Sequence, residues 1–143
     1  MKLNNYNNLL ELFSNQYKSK DKNEIFLQSL NDKNLKFSWQ QTYECIQKLS
    51  NYIRKYISPK DRCLIISENR PEWLISDLAI MLSEGITVPA YTTYMERDYE
   101  YIINDCKPSI IIVSDNLQFN KIKNLISKND FIKVVISFNN IKE

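Results

Sequence analysis

Histidine is absent from this 143-residue chain, and glycine occurs once, at position 85. Without an imidazole, Ser–His and Cys–His catalysis and histidine-based metal sites are excluded. One glycine cannot build a glycine-rich phosphate loop, because several successive backbone amides must approach the phosphates closely. Only three cysteines occur, Cys45, Cys63 and Cys106, far apart and without paired spacing. That usage suits a reducing compartment, in which a free cysteine behaves as a small apolar residue. No charge of one sign dominates: 19 Lys and Arg face 17 Asp and Glu, for a formal charge of +2. A nucleic-acid or anionic-membrane surface is therefore not indicated. The basic cluster Lys18–Lys20–Lys22 is broken by Ser19 and Asp21 and reads as a solvated loop. Apolar runs of signal-peptide or membrane-span length are missing too, which leads us to expect a cytoplasmic protein with at most peripheral membrane contact.

What is present is periodic. Tyr6, Leu9, Leu10, Phe13 and Tyr17 fall on one face of a first helix. "EIFLQSL" and "LKFSW" flank the turn-forming "NDKN" and predict a small hairpin. A second helix starts after Ser38, whose spacing to Gln41 is that of a capping box. Tyr43, Ile46, Leu49, Ile53 and Ile57 form its expected buried stripe, and Ser58–Pro59 ends it.

From residue 62 the pattern changes. Four β-branched runs, "RCLIIS", "ITVPAY", "SIIIVS" and "IKVVISF", begin near residues 62, 86, 109 and 132. Helical stretches lie between them, with faces Leu74/Leu78/Leu82, Tyr99/Ile102/Ile103/Cys106 and Phe119/Ile122/Leu125/Ile126. Strands apolar on both faces that alternate with helices require a parallel sheet covered on both sides. The expected fold is α/β: a partial doubly wound, mostly parallel sheet, preceded by a helix, a small hairpin and a second helix. Residues 1–61 would be the lead-in and 62–138 the βα repeats of one incomplete domain, 1–143.

"SENRPEWLISDLAIMLSEGITVPAY" (67–91) shows the local logic. Asn69 is the expected N-cap, Pro71 sits in the first turn, and Glu72 falls at the third helical position. Gly85 is expected to close the helix in a left-handed conformation. Trp73 and Leu74 would begin the sheet-facing side.

The stretches "KFSWQQTYECIQKLSNYI", "DRCLIISENRPEWLISDLAIMLSEGITVPAYTTY" and "DYEYIINDCKPSIIIVSD" together resemble the N-terminal part of AMP-forming acyl-CoA synthetases. They are most similar to the long-chain fatty acid–CoA ligases of the adenylate-forming, AMP-binding superfamily, and the resemblance covers about residues 24 to 138. Two departures are local: Met95 stands where a small capping residue is usual, and "SPKDR" lacks a glycine common there. The resemblance implies conversion of a fatty acid, ATP and CoA to acyl-CoA, AMP and pyrophosphate with Mg²⁺. It also implies that the Ser/Thr–Gly-rich loop, the adenine and ribose motifs and a small C-terminal domain lie beyond this segment. No catalytic, cofactor-binding or metal residue of the family can therefore be carried onto a position here. ATP, Mg and CoA are expected to be bound only by a complete enzyme, with the segment inactive alone. A fatty acyl-AMP ligase, a peptide-synthetase adenylation domain or a non-catalytic interaction module are the alternatives.

Ligands of open α/β sheets bind beyond the carboxyl ends of the strands. That rule points to Glu68–Asn69–Arg70, Tyr91–Thr92–Thr93 and Ser114–Asp115, each of which also reads as caps and turns. Glu96, Asp98 and Glu100 read as a solvated acidic first turn, which suits a helix N-terminus. The final strand is followed by a short polar tail, so the isolated chain is expected to self-associate.

Overall fold

A computed structural model describes residues 6–141. The first helix, α1 (Leu9–Ser19), is capped by Asn8, whose side chain accepts the Glu11 amide at 2.9 Å. None of its residues is fully buried; it lies on the outside and inserts Leu10 and Phe13 against the core. The hairpin strands β1 (Ile25–Gln28) and β2 (Lys36–Ser38) pair antiparallel, Leu27 opposite Phe37. Phe26 of β1 stacks on Trp39 with ring centroids 3.8 Å apart, and Phe13 packs against both rings. This aromatic cluster fastens the lead-in to the rest. Lys22 of the basic cluster does not simply point into solvent: its ammonium lies 3.8 Å over the Tyr17 ring and donates to the Tyr17 carbonyl.

Helix α2 (Trp39–Ile53) starts with the full capping box. The Gln41 amide donates to Ser38 Oγ at 3.2 Å, and the Ser38 amide donates to Gln41 Oε1 at 2.9 Å. Its fully buried residues are Trp39, Thr42, Ile46, Ser50 and Ile53. Tyr43, expected in that stripe, is instead half-buried, stacked on Tyr17 at 4.4 Å. The helix also stops earlier than its periodicity suggests. Lys55 and Tyr56 bond three residues back, to Tyr52 and Ile53, a tightened last turn before Pro59. Ile57 is thus outside the helix, yet still packs on the core.

The βα repeats follow as expected: β3 (Arg62–Ile66), α3 (Pro71–Leu82), β4 (Ile86–Ala90), α4 (Glu96–Cys106), β5 (Ile110–Val113), α5 (Asn116–Ile126) and β6 (Val134–Ser137). The sheet order is β4-β3-β5-β6, and every neighbouring pair is parallel. Leu64, Ile65, Ile66 and Ile110 to Val113 are all fully buried, because helices cover both faces. One face packs on α3, backed by α2, with Cys63, Ile65, Ile110 and Ile112 pointing into it. The other packs on α4 and α5, through Tyr99, Ile103, Ile122 and Leu125. The fold is thus the α/β, doubly wound arrangement anticipated above, and all the helical elements between strands are present.

Helix α3 corrects three local expectations. Pro71 takes the first helical position, where its missing amide hydrogen costs nothing, so Arg70 and not Asn69 is the N-cap. Glu72 is therefore second in the helix. Buried positions run almost all round it: Ile75, Ser76, Asp77, Leu78, Ala79 and Ile80. The reason is that α3 lies between the sheet below and α2 above, so it has no single stripe. Leu74 and Leu82 are only half-buried.

Gly85 does not take the left-handed conformation; Glu84 does, with φ of 64°. The glycine is needed for closeness. A Cβ there would lie 3.0 Å from Ile57 Cδ1 and from Ile80 Cγ2, and 3.3 Å from the Ile80 carbonyl oxygen.

Candidate functional site

The strand connections diverge between β3 and β5. The chain leaves β3 over one face toward β4, and leaves β5 over the other face toward β6. Such a switch point opens a crevice beyond the carboxyl ends of the two strands. All three candidate stretches lie along that end of the sheet: 68–70 after β3, 91–93 after β4, and 114–115 after β5.

At the end of β3, Arg70 is half-buried and already engaged. Its guanidinium donates to both Glu72 carboxylate oxygens, at 2.9 and 2.7 Å, and to Glu68 at 3.4 Å. It also reaches Asn139 Oδ1 at 3.4 Å and stands 5.4 Å from the Phe138 ring. The Glu72 hydrogen bonds raise its pKa further, against burial, which lowers it. A charge so neutralised ties α3 to the end of β6 and has little left to offer an anion.

Beside it, a cleft of about 260 Å³ lies over the ends of β3 and β4, lined by Ser67, Asn69, Trp73, Pro89, Ala90 and Tyr91. Trp73 and Tyr91 give it aromatic sides, while Ser67 and Asn69 add polar groups. The loop forming one wall is held from beneath. The Tyr99 hydroxyl donates to the Tyr91 carbonyl at 2.7 Å, and the Lys121 ammonium donates to the Thr92 carbonyl. Burial pushes the Tyr99 phenol up to about 12, so it remains a donor at any ordinary pH. Lys121 was not among the sequence candidates. Its contact spans 29 residues, and no local pattern announces it. On the same loop, the Asp98 carboxylate accepts the Met95 amide at 3.0 Å, half of a capping box. Met95 has no side-chain oxygen with which to cap the helix in return.

At the end of β5, Asp115 caps α5 by accepting the Gln118 amide at 3.0 Å. Ser114 Oγ, Asn116 Oδ1 and Gln118 Oε1 are buried there without a hydrogen-bond partner. Such groups are costly to leave unpaired.

The ridge contains no nucleophile beside a base, and among the described residues no group of three or more His, Cys, Asp or Glu side chains could hold a metal ion. The residues present do not fit a nucleotide triphosphate with Mg²⁺. The only glycine is packed against Ile57 and Ile80, Arg70 is paired with the Glu72 and Glu68 carboxylates, and Lys121 is bound to a carbonyl.

Comparison with known proteins gives the fold a context. The family model described as AMP-binding enzyme matches residues 13–143. Long chain acyl-CoA synthetase 4 of Arabidopsis thaliana is 29% identical over 105 residues, covering 73% of this chain and 16% of that protein. A long-chain-fatty-acid–CoA ligase of Rattus norvegicus is 26% identical over 108 residues, covering 75% of this chain and 15% of that one. The chain thus spans about a sixth of the length of the curated relatives it matches. Among solved structures, an anthranilate CoA ligase in complex with anthranoyl-AMP superposes with a TM-score of 0.80 at 18% identity, covering 96% of this chain and 26% of that one. A red-emitting luciferase of Phrixothrix hirtus gives 0.76 at 21% identity, covering 94% and 32%. At these identities the structural matches establish the fold.

Proposed function

The chain belongs to the AMP-binding enzyme family, and we propose that it supplies the N-terminal α/β part of a long-chain fatty acid–CoA ligase. The complete enzyme would join a fatty acid to CoA at the expense of ATP, releasing AMP and pyrophosphate. The observation that carries this reading is the pair of long-chain ligases aligned over about three quarters of the chain. Within that enzyme, this segment would form a rigid sheet and a ridge of loops, and residues elsewhere would hold ATP, Mg²⁺ and CoA. The segment alone is inactive in this reading, since its single glycine is a packing residue and no cation on the ridge is free for phosphate. Free thiols at Cys45, Cys63 and Cys106 accord with a cytoplasmic setting. Among the described residues no helix is long and apolar enough to cross a membrane.

A transplant tests the proposal. The part of this chain aligned with the Arabidopsis ligase over 105 residues replaces its counterpart there, and the folded chimera is assayed with a long-chain fatty acid, ATP and CoA. Acyl-CoA formation is the expected result. A chimera with a cooperative melting transition that still cannot make the acyl-adenylate would overturn it.

A further inference from the structure

Helix α1 turns an apolar face inward, yet none of its residues is fully buried. The face is left unsealed, because between α1 and α3 lies a slot of about 210 Å³. Leu12 and Phe13 of α1 form one wall, and Leu74 and Leu78 of α3 form the other. The Phe26–Trp39 stack, with ring centroids 3.8 Å apart, closes its side. Gln16 is the one polar residue on the wall, and it presents no polar atom to the slot. Protein interiors rarely leave voids larger than a water molecule. Water finds no hydrogen bonds in an apolar void, and one of ~150 Å³ stays dry and admits benzene.

The slot changes character along its length. Leu78, 2% exposed, lies at the deep end. Leu74 is half-buried and also borders a second cleft, of about 240 Å³. This outer cleft has Gln28 and Ser29 on the β1 side, and Asn69 and Arg70 on the α3 side. Each space alone is small for a ligand, whereas the two joined at Leu74 reach the usual ~300–1,000 Å³. An elongated space that passes from apolar to polar fits a chain molecule with an apolar tail and a polar head. A compact ring would fill the inner part only.

Charge restricts the head further. A cationic head would meet the Arg70 guanidinium, which lines the outer cleft itself. An anionic head would meet the Glu72 and Glu68 carboxylates, which both engage Arg70 and outnumber it. An uncharged head avoids both. The Gln28 and Asn69 side-chain amides are exposed and make no hydrogen bond to other described residues, so each has a donor and an acceptor to offer.

We propose that this slot is a binding site for a linear alkyl chain with an uncharged, hydrogen-bonding head, such as a primary alcohol. The chain lies between Leu12 and Leu78, passes Leu74, and sets its head between Gln28 and Asn69. The site goes beyond the ligase reading and does not depend on it.

The chain's two tryptophans report on it separately, since Trp39 lines the slot and Trp73 lines the cleft at the ends of β3 and β4. Titration of the full chain with 1-alkanols from butanol to octanol, followed by the two indole N–H resonances, tests the proposal. Trp39 should shift saturably and Trp73 should not, with affinity rising about fourfold for each added methylene. Octanoate and octylamine should bind more weakly than octanol. Leu12→Phe, which fills the slot from α1, should weaken octanol binding about tenfold with an unchanged circular dichroism spectrum. No saturable shift at Trp39, parallel shifts at both indoles, or affinity independent of chain length would each overturn the inference. So would octanoate or octylamine matching octanol, or a folded Leu12→Phe that binds as the wild type does. The chain-length series and the two indoles decide even where Leu12→Phe fails to fold.

Discussion

The turn between α3 and β4 holds the chain's one glycine, and a pair of substitutions there separates closeness from conformation. In Gly85→Ala the new Cβ meets Ile57 Cδ1 and Ile80 Cγ2 at 3.0 Å. Ile57 is half-buried and its terminal methyl can turn aside. Ile80 is fully buried, and its carbonyl accepts amides from Ser83 at 3.0 Å and from Gly85 at 2.9 Å. It cannot retreat without loosening the helix end. Overpacking of this kind costs ~1–3 kcal/mol, offset by ~0.4–1 from the stiffer unfolded chain, leaving a net loss of about 1–2. Glu84 is the residue with φ of 64°. Its left-handed backbone costs ~1–2 kcal/mol, and glycine's extra unfolded freedom returns ~0.5–1 of that. Glu84→Gly should therefore stabilise by about 0.5–1 kcal/mol. Urea unfolding followed by far-ultraviolet circular dichroism reads both as shifts in midpoint at constant slope. A destabilised Glu84→Gly beside a neutral Gly85→Ala would refute the reasoning.

In the core, Leu78→Ala should cost about 3 kcal/mol, since Leu78 is 2% exposed between α2 and the sheet, whereas exposed Lys48→Ala should stay within ~0.5. Equal urea midpoints for the two would contradict this placement of α3. Asp61 accepts the Ser58 amide and the Ser109 hydroxyl, at 3.0 and 2.9 Å, and lies near Lys133. The Ser58 amide first, then Ser109 and Lys133, hold its carboxyl below the ordinary 3.8, against a partial desolvation. A depressed folded pKa contributes stability that is present above the unfolded value and lost as pH falls through the folded one. Asp61→Asn should accordingly narrow its stability deficit only below about pH 4, and a deficit unchanged down to pH 2 would count against the carboxylate's role. The Ser114 hydroxyl is fully buried without a partner, so Ser114→Ala should raise stability by ~1 kcal/mol in the same assay; a loss would reveal a partner for it.

The parallel sheet was legible because its strands are apolar on both faces and so leave no alternation to misread. Ser38 and Gln41 announced the start of α2 through chemistry local to four residues. Errors arose where a neighbour far along the chain decides the outcome. Burial all round α3 depends on α2 lying across it, and the tight approach at Gly85 depends on Ile57, which is 28 positions away. A glycine after a helix reads equally as a left-handed cap or as a close contact, and only packing distinguishes them. Along the ridge, the three stretches could be placed from the rule for open sheets. The pairing of Arg70 with Glu68 and Glu72 is local, two residues away on either side, whereas its reach to Asn139 and that of Lys121 to Thr92 are tertiary facts without a sequence signature.

The central claim is that this α/β piece positions an adenylating enzyme without itself performing the chemistry. Fatty-acid-dependent exchange of labelled pyrophosphate into ATP, measured on the purified chain against a heat-killed sample, tests it most directly. The account predicts exchange no greater than in the heat-killed control at any fatty-acid or Mg²⁺ concentration. Exchange that rises above the control in proportion to added protein would contradict it.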